Sequence, residues 1–534
     1  MRSNPTYKPQ EDKELERARD YFNKGIEESL SHNWESSQIC FKLAAALAPG
    51  RPSILLNLAI ALTRVSGHIK AQKFLRWACA SDPLDDCAAL LYAEALQTDG
   101  EIEAANQLFF KSYVLNPSRA SCLLNIARIG GNNKLVDRAS QVLENYSNDF
   151  YNIAVAYLDQ QRVDLATVYL KKQIVVAPDH AKAYYNLSLV LDEYFLADEA
   201  QTHAQRSVLL QPADSVFHWH LCLIALKQGN YALGWREFEW RVKLPDAPRP
   251  PALGRGRRWS DPEQFCEIKV LLIYAEQGLG DTIFMARYVE WLSHRSIKII
   301  FFVPTELSNV FLFNESVQVI DEFNEKSHKF SHQCSLLSLP FLLSNELPSP
   351  IESPVKLRDD HISHAKWSQR FNQQKSVLRV GLTWSSSSFF KDDYRRSLRL
   401  EMLRPLVQES RVDFISLQKS INYLDLESPL INSSVRLFHD DIVDFNDTIQ
   451  LIKHCDLVIT TCTSIAHLSC SLGKETWVLV SFNPDFRWQR RQCTTTWYPS
   501  AVVFRQKVRN EWTEVILKVK SALSKRVSAQ HLNL

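Results

Sequence analysis

The tract Ala275-Glu276-Gln277-Gly278-Leu279-Gly280-Asp281-Thr282 stands between an apolar run, Ile268 to Tyr274, and a helical pattern, Ile283 to Leu292. A strand, a tight glycine turn and a helix N-terminus in that order can bring backbone N–H groups up to a phosphate. Most turns of this kind only join a strand to a helix. What this one does depends on the chain around it.

At 534 residues and 61.5 kDa the chain is too long for a single hydrophobic core. Its 62 basic and 60 acidic residues leave a net charge of +2, so no global field recommends nucleic acid or an anionic membrane. Met1 to Glu16 is polar and has no apolar signal core, and no later stretch is an uncharged apolar span of about 18 residues. The eleven cysteines form no CxxC pair and no regular framework, which fits a reducing, cytoplasmic compartment. Asn186-Leu187-Ser188 has the form of a glycosylation acceptor but lies inside a helical pattern.

Upstream of the glycine tract, helical periodicity runs from about Lys13 to Arg241. Pro49, Pro83 and Pro117 are 34 residues apart, and so are Pro178 and Pro212. Small residues recur 24 before these prolines (Gly25, Ala59, Ala93, Ala154, Ser188) and 12 before them (Ser37, Ala71, Ala105, Ala166, Ala200). Small side chains at these two points let paired antiparallel helices approach closely, while Phe41, Leu75, Phe109 and Leu170 fill the seam to the next pair. The pattern resembles tetratricopeptide repeats. A shorter unit is expected at roughly 120–146, with a turn at Gly130-Gly131-Asn132-Asn133, and a last unit over Val216 to Arg241. Asn57, Asn125 and Asn186, each at the sixth position of its unit, are the recurrent polar candidates for a groove that binds a peptide or positions an acceptor.

Leu244-Pro245-Asp246-Ala247-Pro248-Arg249-Pro250-Pro251 breaks the helical pattern, and the basic Arg255-Gly256-Arg257-Arg258 follows. Trp235, Trp240 and Trp259 flank this junction, and their burial would make the repeats a fixed arm rather than a tether.

Beyond the junction the period changes. Short Val/Ile/Phe runs alternate with helical patterns, as in βα units around parallel sheets. Strands are expected at Lys269–Tyr274, Ile297–Val303, Val317–Ile320 and Ser335–Leu339, then, after a proline-rich linker, at Leu378–Thr383, Asp413–Ser416, Val435–Leu437, Leu457–Thr460, Thr476–Val480 and Ala501–Phe504. Two Rossmann-like halves with a cleft between them fit this better than one sheet. The second half carries most of the chemistry at its carboxyl edge. Gly381 to Ser385 ends its first strand, and the loop to Leu398 holds Lys391, Asp392, Arg395 and Arg396. Ser416-Leu417-Gln418-Lys419 ends the next strand. Thr463-Ser464 follows Leu457–Thr460 and can cap a helix that stops at Gly473, with His467 on its first turn. Phe482 to Trp488 and Thr496-Trp497-Tyr498-Pro499 form an aromatic loop region, and the tail helix is expected to fray by Arg526.

In this order, Glu276–Thr282, Gly381–Ser385, Arg395-Arg396-Ser397, Ser416–Lys419, Asp444–Thr448, Thr463–His467, Leu472-Gly473-Lys474 and Trp497-Tyr498-Pro499 resemble bacterial tetratricopeptide-repeat proteins with a glycosyltransferase module of the heptosyltransferase kind, which has the GT-B fold. The O-linked N-acetylglucosamine transferases are a more distant likeness. The resemblance covers almost the whole chain. It implies an all-α tetratricopeptide superhelix followed by an α/β GT-B module of two Rossmann-like halves. The expected boundaries are a flexible N-terminus at 1–17, repeats at 18–242, the junction at 243–266, an acceptor-side half at 267–355, a linker at 356–377, a donor-side half at 378–525 and a tail at 526–534.

The resemblance also implies transfer of a sugar from a nucleotide-diphosphate-sugar donor to an acceptor hydroxyl on a glycan, a lipid-linked saccharide or a protein, with inversion and without a bound metal or cofactor. Asp281 maps onto the family's proposed general base, a role that suits a hydroxyl losing its proton as the anomeric carbon is attacked. Gly280, Thr383, Lys391, Arg396, Gln418, Lys419, Thr463, Ser464 and His467 are the implied donor-binding residues. One departure stands out: where heptosyltransferases carry an aspartate before the threonine of the last anion-binding turn, this chain has Cys462. The competing expectation is therefore a repeat-based interaction protein whose transferase half is vestigial. An NAD-dependent oxidoreductase fits poorly, because the first loop is not GxGxxG.

Overall fold

The positions where the repeat pattern demands small residues are where helices meet. In a computed structural model that describes residues 9–116, 122, 124–126, 133–146, 150–247, 256–347, 351–371, 377–386, 396–431, 433–489 and 492–532, Ala59, Ala71, Ala93, Ala105, Ala154, Ala166, Ser188 and Ala200 are all wholly enclosed. A β-carbon on Gly25 would stand 2.6 Å from the Phe41 ring, so the first hairpin closes only around glycine.

The helices pair as α1 (Pro9–Leu30) with α2 (Trp34–Leu47), α3 (Pro52–Ser66) with α4 (His68–Ser81), and α5 (Asp86–Thr98) with α6 (Ile102–Leu115). After α7 (Asn133–Tyr146), α8 (Phe150–Asp159) pairs with α9 (Val163–Val176). Then follow α10 (Ala181–Glu193), α11 (Ala197–Leu210), α12 (Ser215–Lys227) and α13 (Tyr231–Phe238), the last two again a pair. These are tandem antiparallel helical hairpins. The Gly130–Asn132 turn lies outside the described residues. The first helix begins at Pro9, so the expected flexible segment at 1–17 is too long. Of the recurrent asparagines, Asn57 is spent on its own helix (Ser53 carbonyl, 2.8 Å) and Asn186 on the Tyr151 hydroxyl (3.2 Å).

Compactness divides the chain between Val190 and Leu191, not at the proline junction. In the second unit the last hairpin is part of the α/β body. The strands are β1 (Arg257–Arg258), β2 (Val270–Tyr274), β3 (Lys298–Phe302), β4 (Val317–Ile320), β5 (His332–Ser335), β6 (Leu378–Thr383), β7 (Val412–Ser416), β8 (Val435–Arg436), β9 (Leu457–Thr461), β10 (Thr476–Val480) and β11 (Ala501–Arg505). They form two parallel sheets, ordered β1-β5-β2-β3-β4 and β11-β10-β9-β6-β7-β8.

Four expectations need correction. The strand expected at Ser335–Leu339 lies at His332–Ser335, and Leu336–Ser338 turns into a 3-10 helix because Ser335 Oγ caps it, accepting from Leu337 N. The basic segment at Arg257–Arg258 is an edge strand on β5, fixed by Trp259, which is buried and stacks on Phe265. The first half's glycine turn leads into α14 (Leu279–Ser293), and the linker contains a helix, α15 (His361–Phe371). Further on come α16 (Phe445–His454), α17 (Ser464–Ser471) and α18 (Thr513–Leu532), the last continuing past the expected fray at Arg526 because Val519, Leu523 and Val527 are buried on the second sheet's outer face.

Alternation along β2 divides its side chains. Leu272 and Tyr274 face a small outer cluster, while Leu271 and Ile273 join a core that also holds Leu226, Trp235 and Phe238 of the last hairpin, Phe284 of α14, and Val458, Trp488, Trp497 and Tyr498 of the second half. One continuous apolar core therefore underlies both sheets and the last repeat.

Candidate functional site at the meeting of two sheet edges

Each sheet reverses its strand order once: between β2 and β5 in the first, between β6 and β9 in the second. Ligands of open α/β sheets bind outside the carboxyl ends of strands at such points. At the first, β2 ends in Tyr274 and the chain runs through Glu276 and Gly278 into α14, with Asp281 in its first turn. Glu276 is not free for a ligand: Arg241, from the 3-10 turn after α13, donates to it through Nε (2.7 Å), and its Nη2 lies 2.6 Å from the same carboxylate oxygen in an ion pair. Arg241 also donates to Glu239 (2.7 Å), the Phe238 carbonyl (3.2 Å), Ser335 Oγ (3.2 Å) and Ser338 Oγ (2.9 Å), and it is only 4 % exposed. Burial opposes its charge, yet Glu239 and Glu276 more than offset this and hold the guanidinium above its ordinary pKa.

At the second reversal, Thr383 closes β6 and Thr461 closes β9. Their hydroxyls, Thr383 Oγ1 and Thr461 Oγ1, are buried without a partner among the described residues. Gln418 braces this edge from β7, its Oε1 accepting from Trp384 N (2.8 Å) and Ser385 N (2.9 Å) and its Nε2 donating to Ser385 Oγ (3.0 Å) and the Ser420 carbonyl (3.1 Å). A fully engaged amide of this kind shapes a loop and holds no donor for a ligand. Lys419 likewise turns away, its ammonium donating to the Ile442 and Val443 carbonyls. Lys391 lies outside the described residues. Arg396 is described, and its charge is felt at Cys462.

The turn Cys462-Thr463-Ser464 opens α17 at this edge. Thr463 is the N-cap by position, but its hydroxyl bonds Thr460 Oγ1 (3.2 Å) and makes no capping bond to the helix. Cys462 Sγ receives Trp488 Nε1 at 3.0 Å, and burial and then Asp485 raise its thiol above the ordinary range, which disfavours the thiolate. His467 does not reach a ligand surface. It is enclosed by Phe284, Trp488 and Tyr498, bonded to the Tyr498 hydroxyl at 3.1 Å, and held neutral because burial, Arg487 and Arg287 all disfavour the imidazolium. Helix spacing allowed it either side, and packing decides for the core.

The two edges meet directly. A β-carbon on Gly280 would stand 3.2 Å from His467 Cδ2 and 3.4 Å from Ser464 Cα, so glycine is what lets the first turns of α14 and α17 abut. Asp281 sits at this contact and is ion-paired with Arg487 of the loop after β10. Arg487 Nη1 is 3.5 Å from Asp485 Oδ1, its face covers the Phe284 ring at 4.7 Å, and its Nε is buried with no partner. Burial works against this cation, but Asp485 and Asp281 raise its pKa well beyond the ordinary value. Beneath the contact, buried Arg287 joins the halves, donating to the Ile351 (2.7 Å) and Trp497 (3.1 Å) carbonyls between the Phe284 and Tyr498 rings.

Asp281, Gly280, Thr383, Thr463, Ser464 and the charge of Arg396 thus gather at the facing edges, while Gln418, Lys419 and His467 do structural work beside them. Sequence reasoning missed Arg487, Arg287 and Arg241. The signal for Arg487 was present in Asp485-Phe486-Arg487-Trp488, a stretch notable for its aromatics that also carries a charge pair. Among the described residues no three His, Cys, Asp or Glu side chains are grouped to hold a metal ion, and no helix is long and apolar enough to cross a membrane.

Neither a protein-family model nor a curated protein matches this chain. Solved structures do. The Cut9–Hcn1 hetero-tetramer of the APC/C is 17% identical over 40% of this chain and 44% of that one, less than half its length, with a TM-score of 0.34. A tetratricopeptide repeat protein from Parabacteroides merdae is 14% identical over 42% of this chain and 91% of that one (TM-score 0.34), and PilW, a type IV pilus biogenesis factor, is 19% identical over 36% and 91% (TM-score 0.31).

Proposed function

We propose that this chain is a glycosyltransferase of GT-B architecture that moves a sugar from a nucleotide-diphosphate donor to an acceptor hydroxyl, with its repeats engaging the acceptor or a protein partner. The observation that carries the reading is the apposition of two strand-order reversals, Gly280 against Ser464, with Thr383 and Thr461 hydroxyls unpartnered at one of them. Buried hydroxyls without partners are uncommon and call for an explanation such as a ligand. Phosphate oxygens would accept from them, from the first N–H groups of α17 and from Arg396. Asp281 would take the acceptor proton while the acceptor oxygen bonds the anomeric carbon and the diphosphate leaves with the electron pair.

A second reading is favoured by a specific observation. Asp281 is already paired with the partly buried Arg487, and the repeats' second helices expose Ile39, Trp77, Phe110 and Val175, as a protein-binding scaffold would. Titration calorimetry with UDP-, GDP- and ADP-sugars separates the two. Saturable binding that Thr461→Val weakens supports the transferase. If none of these donors nor their nucleotides binds, the scaffold reading takes its place.

A further inference from the structure

We propose that Arg487 is a positioning residue that holds Asp281 in reserve and releases it when a diphosphate arrives; the inference rests on the transferase reading above. Two arginines of this unit, Arg241 and Arg487, can be compared. Arg241 sends its donors to five distinct acceptors, two carboxylates, two hydroxyls and a carbonyl, as a structural arginine does. Arg487 is shared between Asp281 and Asp485 and keeps Nε idle, although its side chain is only 12 % exposed. An idle buried donor on a cation is an incomplete site.

What lies beside it is the anion-seeking end of α17. Gly280 brings the first turn of α14 onto Ser464, Cys462 in the preceding turn feels the charges of both Arg487 and Arg396, and the Thr461 hydroxyl there has no partner. A diphosphate in that place would compete with Asp281 for the guanidinium. While paired, the Asp281 carboxylate has an oxygen engaged by the guanidinium and is not open to an acceptor hydroxyl. Once Arg487 turns its donors to the diphosphate, Asp281 is free to accept the proton of the acceptor hydroxyl. The acceptor oxygen then bonds the anomeric carbon, the bond from that carbon to the diphosphate oxygen breaks, and Arg487 faces the charge of the departing diphosphate. Base and donor are thereby coupled, so the base is not exposed in an empty site.

The test is calorimetric binding of UDP, GDP and ADP to the full chain and to Asp281→Asn, Arg487→Lys and Arg487→Met. Removing the competing carboxylate should tighten the nucleotide that binds by about fivefold or more in Asp281→Asn, an effect that a merely structural ion pair would not produce. Arg487→Met should weaken it at least tenfold, and Arg487→Lys, which keeps the charge and guards against a folding defect, should fall between. A nucleotide that binds the natural chain but binds Asp281→Asn equally or more weakly overturns the inference and leaves the transferase reading standing. Absence of binding by all three, and by their sugar conjugates, overturns both.

Discussion

Arg241→Met tests whether the last repeat is bolted to the α/β body or only rests on it. The substitution keeps most of the apolar stem but strands Glu276, whose side chain is 10 % exposed, and takes a partner from Glu239, Ser335 and Ser338. Removing one member of a buried, hydrogen-bonded ion pair costs about 3–5 kcal/mol, most of it from the charge left behind. Because a unit of this size need not unfold in one step, the local quantity to follow is hydrogen exchange of the 215–243 backbone, which includes α12 and α13. Its opening should become easier by roughly two to four powers of ten, at about 1.4 kcal/mol per tenfold. Adding Glu276→Gln removes the stranded charge and should recover about 1–3 kcal/mol, the coupling usual for contacting residues. Acceleration below about tenfold, or a double variant no better than the single one, would refute the claim that this ion pair anchors the hairpin.

Thr461→Val removes a buried hydroxyl that has no protein partner, so it should raise stability by about 1 kcal/mol while weakening nucleotide binding; a loss of stability in denaturant melts would show that the hydroxyl is satisfied within the fold. His467 is held neutral, so its folded pKa lies below its unfolded value near 6.5. The unfolded chain then binds the proton first, and this group's contribution is complete above about pH 6.5 and lost as the pH falls below it. His467→Gln should flatten that acid slope, up to about 1.4 kcal/mol per pH unit, in melts from pH 7 to 5. Ala93→Leu, at a wholly enclosed position of α5, should cost about 1–3 kcal/mol by overpacking, whereas Thr98→Leu on the exposed end of the same helix should stay within about 0.5 kcal/mol by thermal denaturation.

Much of this was legible because it is written locally. Ala59, Ala93 and their equivalents announce helix contacts through size and period, and β4, β6 and β10 fall on their expected residues, β10 because a parallel strand buried on both faces reads as an apolar run. Leu336, Leu337 and Leu339 imitate such a run, yet they lie in a 3-10 turn and a short helix, and apolarity alone does not separate these states. The site was half legible. Glycine and hydroxyl residues at strand ends can be found from strand order and turn chemistry, which is why Gly280, Thr383 and Ser464 come together. The pairs Asp281–Arg487 and Arg241–Glu276 span 206 and 35 residues, and no local pattern names such partners. Gln418 and Lys419 had the right chemistry at the right edge, but neighbouring backbone groups claim their donors first.

Repeat arrays are stable because each hairpin covers the next, and the final hairpin ordinarily needs a polar outer face to stop the stack. Here α13 ends the series with Trp235 and Phe238 buried in the core of the α/β body, Trp235 meeting Phe486 and Tyr231 meeting Trp497 edge to face. The α/β body thus caps the apolar face of the last hairpin. Severing the chain at the proline junction would leave the array with an apolar, aromatic wound at its end and take a wall from the sheet module. A dissection at Leu191 would keep the cap with the hairpin it covers, so the covalent seam and the mechanical one lie about fifty residues apart.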